Sequence, residues 1–248
     1  MHSRSKVTSG SPVAFLQFLA GAFSGTVVKR ELRPRMKITT LIAAFAVALI
    51  SNVHGGATLY YWDINGVTNG SGPTSAPSGT WSSTTAFWNS SSSGTSAPGT
   101  FPFGNAAVFS AGTNATNAFT VTVGSAQTVD SIFVEEGSPT LTGTFGITLN
   151  GAATIGVLTG SKLSVANVLS GSAGLTKSGD GTLSLTGVNT FIGPVNLNAG
   201  ILALTTNTAL GSSTSPVNFN GGTLRFESTG TGSVIASGRS IILNAGGG

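Results

Sequence analysis

Side chains that could act as acids, bases, nucleophiles or metal ligands are scarce in this 248-residue chain. It has no cysteine, and its two histidines, His2 and His54, both lie in the segment 1–57. Thiolate chemistry and a histidine proton relay are therefore excluded from the rest of the chain. Six carboxylates follow position 57, and most of them are far apart in the sequence: Asp63, Asp130, Glu135, Glu136, Asp180 and Glu227.

A polysaccharide-active enzyme would need several of these carboxylates on one face, with a calcium ion or a basic partner. Glu135 and Glu136 are sequence neighbours, so on a strand they would point to opposite faces, and we expect both to be solvated edge charges. Asp180 lies between two glycines and is typical of a turn. Glu227 is close to Arg225 on the same face of a strand, an arrangement typical of an exposed pair. The pattern therefore predicts no catalytic residue, no metal site and no cofactor, and an enzyme is the least favoured function.

The three tryptophans are the other candidates for a functional role. Trp62, Trp81 and Trp88 lie close together in the sequence, in a segment that is rich in serine, threonine and glycine. Aromatic faces can stack on sugars, so these residues are candidate ligand-binding residues for a surface glycan. They could instead be buried in a cap that covers the open end of a repeat structure, and this second interpretation is favoured.

The distribution of charge excludes nucleic acid as a partner. Residues 1–57 carry seven lysine and arginine side chains against one acid, whereas the rest of the chain carries four against six. The high calculated isoelectric point therefore belongs to the segment 1–57 alone. The four remaining cations are scattered, so they could not neutralise a run of phosphates.

The N-terminal region has the features of a secretory signal peptide. Lys37 precedes an uncharged apolar run at residues 38–50, which is too short for a membrane-spanning helix. Gly55 and Ala57 then provide small residues for cleavage after Ala57, whether translation starts at Met1 or at Met36. We expect residues 1–57 to be a leader and the chain to be exported.

The remainder of the chain has the pattern of short strands. Apolar residues alternate with small polar ones in segments such as residues 120–123, 147–150 and 182–185, and glycine or asparagine bounds many of them. The segment at residues 195–200 returns at 217–222 and again at 241–246. Similar strands returning about every 21 residues are typical of one coil of a parallel β-helix.

Two other all-β architectures fit this pattern less well. A sandwich would place turns about every 8 to 12 residues, and a transmembrane barrel would need strands of about 9 to 11 residues. We therefore predict an all-β parallel β-helix, or solenoid, at residues 130–248, with the chain stopping inside a repeat. Residues 58–129 are expected to form an irregular, aromatic-rich N-terminal cap.

One stretch of the chain carries a specific resemblance to a known family. Residues 174–200 closely resemble the autotransporter-associated β-strand repeat, also called the passenger-associated transport repeat. The residues that match the family pattern are Gly174, Leu175, Lys177, Gly179, Gly181, Leu183, Leu185, Asn189, Phe191, Gly193, Asn198 and Gly200. The segment at residues 60–63, just after the leader, is similar to the opening of many such proteins.

The resemblance implies a right-handed β-helix that is secreted or displayed on the outer surface of a Gram-negative-type bacterium. In that family the repeat supports folding and transport across the outer membrane and supplies no catalytic residue. Expected partners are the outer-membrane translocation machinery, or a C-terminal membrane barrel missing from this chain. An adhesin that binds surface glycans is the alternative function.

Overall fold

The computed structural model describes residues 56–227, 235 and 238–245 of the chain. The expected leader at residues 1–57 lies outside this part except for its last two positions. Among the described residues, no helix has the length and apolar character needed to cross a membrane.

The described residues form short strands joined by turns, with a single 3-10 turn at Asn207–Leu210. The strands of the N-terminal half are β1 Leu59–Trp62, β2 Gly79–Trp81, β3 Trp88–Asn89, β4 Asn105–Val108, β5 Ala118–Val123, β6 Gln127–Val134, β7 Ser138–Thr142 and β8 Ile147–Val157. Those of the C-terminal half are β9 Lys162–Val165, β10 Leu169–Ser170, β11 Leu175–Ser178, β12 Thr182–Leu185, β13 Val195–Leu197, β14 Ile201–Leu204, β15 Val217–Phe219, β16 Thr223–Phe226 and β17 Ile241–Leu243.

The strands are arranged in two largely parallel sheets. One sheet has the order β17-β15-β13-β11-β8-β6-β4-β1-β3, with β10 also paired to β8, and the other has the order β16-β14-β12-β9-β7-β5-β2. From β4 onward the chain alternates between the sheets, except that β10 and β11 both pair with the long strand β8. This alternation is the path of a solenoid, here of about six coils, and it confirms the predicted all-β parallel fold.

The register between coils places like residues on top of one another. In the second sheet Leu163 pairs with Leu183, Leu183 with Leu202, and Leu202 with Leu224. The first three leucines are fully buried, because alternate residues of each strand face the interior. Burial of each such side chain contributes about 1.5 to 3 kcal/mol, so the apolar column is the main source of stability.

The parallel stacking begins before residue 130. β4 pairs with both β1 and β6, and β5 pairs with both β2 and β7. The residues between these strands form long irregular loops, yet the aromatic side chains of this region belong to the same buried cluster as the leucines of the later coils. Residues 58–129, expected to form an irregular N-terminal cap, therefore also contribute strands to the same column.

Motif glycines allow the corners of successive coils to approach closely. Gly174 has a positive φ of 84°, and a Cβ built on it would overlap the carbonyl oxygen of Pro194 in the next coil. That carbonyl accepts a hydrogen bond of 2.9 Å from the backbone N–H of Leu175. Gly160 has almost the same φ, 82°, but a Cβ on it would have no neighbour within 4 Å.

A comparison of these two glycines separates the energetic cost of backbone strain from the cost of a collision between coils. Gly160→Ala should lower the free energy of unfolding by about 1 kcal/mol, since the positive φ is strained for an L-residue. Gly174→Ala should cost about 2 to 4 kcal/mol, because the same strain is added to a collision with the neighbouring coil. Urea unfolding of both variants measures the difference, and equal losses would show that the coils do not pack this closely.

Candidate functional site

The three tryptophans proposed as ligand-binding residues are buried. Trp62 and Trp81 are 0% exposed and Trp88 is 1% exposed. Their rings pack against one another, with centroids 5.3 Å apart for Trp62 and Trp88 and 4.8 Å apart for Trp81 and Trp88. The Nε1–H of Trp62 donates to the carbonyl oxygen of Pro77 at 2.7 Å. No indole face is open to a sugar, and this argues against the glycan-binding interpretation of these residues.

Two phenylalanines that the sequence did not single out complete this aromatic cluster. The Phe101 ring lies 5.0 Å from the Trp81 ring and 4.8 Å from the Trp88 ring, centroid to centroid. Phe109 packs 5.5 Å from Trp88 in a T-shaped arrangement. Edge-to-face pairs of this kind favour a fixed geometry beyond the burial of their area. The cluster therefore fills the first coils of the column with large side chains.

Lys177 of the repeat motif points into the column and is 0% exposed. Its ammonium group donates to three carbonyl oxygens, those of Ser178 at 2.7 Å, Gly179 at 2.5 Å and Ala199 at 3.2 Å. Burial lowers the pKa of Lys177 to about 8, while the nearby negative charge of Asp180 opposes the shift. The side chain thus satisfies carbonyls at the corner of its own coil and of the next one, which is a structural task.

Asn189 performs a similar task for three successive coils. Its Oδ1 accepts a hydrogen bond from the backbone N–H of Leu169 at 2.8 Å, and its Nδ2 donates to the carbonyl of Ala209 at 2.7 Å. The motif residue Phe191 is fully buried, and a Cβ on Gly211 in the next coil would meet its ring. These motif residues therefore serve the contacts between coils.

Asparagines on the outside of the column form ladders across coils. Asn220 donates from Nδ2 to Oδ1 of Asn198 at 2.8 Å, and Asn244 donates to Oδ1 of Asn220 at 2.6 Å. Two residues before Asn220, Nδ2 of Asn218 donates to Oδ1 of Asn196 at 2.7 Å. The segments that begin at residues 195, 217 and 241 therefore recur in the sequence with the same spacing that separates donor from acceptor in the ladders.

One expectation about the carboxylates is wrong. Glu135 is not a solvated edge charge: its Oε1 is buried and has no hydrogen-bond partner. Burial, with a smaller contribution from the charge of Glu136, raises the pKa of Glu135 to about 7. The carboxylate lies close enough to Tyr61 to help raise the pKa of that phenol to about 12, although burial is the larger cause. Glu135 is half-buried, and it follows the end of β6, where Tyr61 and Phe133 belong to a second buried apolar cluster.

Glu136, also expected to be solvated, is half-buried and accepts a hydrogen bond of 2.8 Å from the backbone N–H of Ala115. The carboxylates further along the chain are dispersed. Asp180 is exposed and accepts a 3.4 Å hydrogen bond from Thr159. Arg225 and Glu227 form a partly exposed ion pair at 2.5 Å. Within the described residues, no three side chains of Asp, Glu, His or Cys converge on one point. The absence of catalysis stays a prediction.

Comparison with known proteins points to one family. A family model described as passenger-associated-transport-repeat matches residues 175–204. The chain is also similar to the curated protein named adhesin BmaC autotransporter from Brucella suis biovar 1 (strain 1330), with 38% identity over 204 residues. The alignment covers 81% of this chain but only 6% of that relative, so the chain spans a small part of its length. No solved structure matches the chain.

The buried carboxylate of Glu135 predicts a pH dependence of stability. The folded protein binds the proton more tightly than the unfolded chain, so stability is lost as the pH rises from about 4.5 to about 7. Glu135→Gln should therefore raise the free energy of unfolding at pH 8 by about 2 to 3 kcal/mol and leave it unchanged near pH 4. Urea unfolding across this pH range measures the effect.

Two further measurements control this result. Asp180→Asn, at an exposed carboxylate, should leave the loss of stability between about pH 4.5 and pH 7 as it is in the wild type, because the charge of Asp180 acts on Lys177, whose pKa is higher, at about 8. Removing the charge of Glu135 should also lower the pKa of Tyr61, as measured by absorbance titration of the phenol. A Glu135→Gln variant with the wild-type pH profile would contradict the assignment.

Proposed function

This chain is a passenger-associated-transport-repeat protein of the autotransporter type, and from that premise we propose that its coils form a non-catalytic passenger segment that supports folding and transport across the outer membrane. The observation that carries the proposal is the unbroken register of the matched repeat. Within residues 175–204, β11, β12, β13 and β14 each pair with strands of the preceding and following coils.

Stacking of this kind can drive transport because each coil is stabilised only by its neighbours. A single coil leaves its inward side chains, such as Leu183 and Leu185, in contact with water. Addition of the next coil buries them and contributes several kcal/mol. A segment that folds coil by coil on the outer side of a membrane therefore does not slide back through the pore.

The wider setting of this function is also part of the proposal. The exported location rests on the signal-like pattern of residues 1–57 and on the relative named as an autotransporter. The outer-membrane translocation machinery, or a C-terminal barrel encoded with a longer chain, is the proposed partner. The repeat residues around Lys177 and Asn189 hold the backbone of the coils together, and this supports a role without catalysis.

Interruption of the apolar column should block display at the cell surface. Leu183→Asp places a carboxylate at a fully buried site between Leu163 and Leu202, which costs several kcal/mol. We expect the amount of the protein on the surface of its native host to fall by about tenfold or more. Protease digestion of intact cells, followed by immunoblotting, measures this amount.

The matched control places the same charge on the outside of the same coil. Val188 is 63% exposed, so Val188→Asp should leave surface display within about twofold of the wild type. Equal display of the Leu183→Asp variant and the wild type would overturn the proposal, because transport would then not depend on stacking.

Adhesion is a second candidate function, favoured by the name of the relative. β9 and β12 pair in a register that sets Val165 opposite Leu185, so the exposed residues Val168 and Val188 lie at equivalent positions of successive coils. Apolar side chains that repeat on an outer corner offer a contact surface to another molecule.

This corner gives the adhesive function its own test. Replacement of Val168 and Val188 together by serine should lower attachment of the purified chain to host cells by about fivefold, the effect of losing about 1 kcal/mol of apolar contact. Phe103→Ser, at another exposed apolar residue, is the control. Attachment unchanged by the double substitution would exclude this corner as the contact.

A further inference from the structure

Two rows of asparagine side chains lie on the outside of β13, β15 and β17 and of the residues just after these strands. A shorter row has two members and a longer row has three, and the rows are two residues apart along each strand. Their members are Asn196 and Asn218 in the shorter row, and Asn198, Asn220 and Asn244 in the longer one. Because alternate residues of a strand point to one side, both rows lie opposite the buried side chains of Val195 and Leu197. We call this surface the asparagine face.

The carboxamides of the longer row keep part of their hydrogen-bonding capacity. Asn220 uses one Nδ2 hydrogen toward Oδ1 of Asn198 and one lone pair for Nδ2 of Asn244. A carboxamide has two hydrogens and two lone pairs, so Asn220 retains one of each. In the described part of the chain no protein group takes up this second hydrogen or lone pair, and all three residues are exposed. The row therefore presents free donors beside free acceptors to the solvent.

Contacts within the rows hold these groups in place before any ligand binds. In the shorter row Nδ2 of Asn218 donates to Oδ1 of Asn196 at 2.7 Å, and Nδ2 of Asn196 donates to Oγ1 of Thr176 in the coil before it at 3.4 Å. The longer row is tied together in the same way from coil to coil. Side chains that are already ordered lose little conformational entropy when they bind a ligand, so their free donors and acceptors are ready for use.

The chemistry of this surface favours a neutral partner. None of the residues 195–198, 217–220 and 241–244 is charged, so a sulfated or acidic ligand would find no counter-charge there. Hydroxyl groups both donate and accept hydrogen bonds, and they therefore match carboxamides that offer one hydrogen and one lone pair each. The register partner of Asn218 in the next coil is Ile242, which is 43% exposed and offers an apolar contact beside the amides. A sugar has both kinds of surface, hydroxyl groups and C–H groups.

We infer that the asparagine face binds a neutral, extended glycan that lies along the axis of the column. Successive coils are about 4.8 Å apart, close to the advance of one sugar unit in an extended chain, so successive units meet equivalent amides. The two rows are about 6.6 Å apart along the strands, so one glycan chain contacts both. The inference rests on the adhesive function proposed above and names its ligand. It places the sugar on a surface other than the buried tryptophans and the corner at Val168 and Val188.

The test is binding of the full chain to a glycan array that carries neutral cellohexaose, maltohexaose and chitohexaose beside heparin hexasaccharides and sialylated glycans. At least one neutral hexaose should give a signal about fivefold or more above that of every charged glycan. The signal should change by less than about twofold between about 50 and 500 mM NaCl, because no charges are paired. Binding to charged glycans alone, or to no glycan, would overturn the inference.

A double variant, Asn198→Ala with Asn220→Ala, locates the site. It should weaken binding of the neutral hexaose by about tenfold or more, since each lost hydrogen bond lowers affinity by about two- to tenfold. Asn150→Ala, at an exposed asparagine outside the two rows, is the matched control and should bind as the wild type does. If the double variant does not fold, Asn244→Ala at the end of the longer row takes its place, with a loss of about threefold.

Two further measurements separate the possible outcomes. A ladder with a structural role alone would lower the midpoint of thermal unfolding of these variants and leave their glycan affinity unchanged, and that result would overturn the inference. Attachment of the purified chain to host cells is measured in parallel. A chain that attaches to cells but binds no neutral glycan keeps the adhesive function and loses this site, whereas a chain that binds the hexaose but does not attach keeps the site and loses the adhesive function.

Discussion

The structure depends on one constraint, which is that no coil of this chain can bury its own apolar side chains. Leu163 on one side and Leu202 on the other shield Leu183 from water. The other inward side chains of the column are shielded by neighbouring coils in the same way. Stability therefore rises with each coil that is added, and a fault in one coil exposes two others. This constraint explains the parallel register, the alternation of apolar and polar residues, and the close approach at Gly174.

The corners of the coils impose a second requirement, because the chain turns there and its carbonyl groups lose their partners in the sheets. Buried cations meet it in two places. Lys177 donates to three carbonyls, and Arg239 donates to those of Leu210, Gly211 and Ser215 as well as to the side chain of Asn207. Each of these side chains joins carbonyl groups on the two sides of a turn.

The sequence predicted the coils where their length is regular, and failed where it is not. Segments that return at nearly constant intervals mark β13, β15 and β17, and each pairs with the next in that register. Further toward the N-terminus the loops are long: Gly79 pairs with Val121, so the coil between them is about twice the usual length and no period is visible there. The partial burial of Glu135 could not be foreseen, because its surroundings include Tyr61 from a distant part of the chain.

The asparagine ladder gives the column a direction. Each amide donates to the amide of the coil before it, from Asn244 to Asn220 and from Asn220 to Asn198, so one end of the row presents hydrogens and the other presents lone pairs. Two such columns placed head to head would oppose like groups, whereas a head-to-tail join would continue the row. The row of amides therefore has polarity, and further coils can continue it in one orientation only.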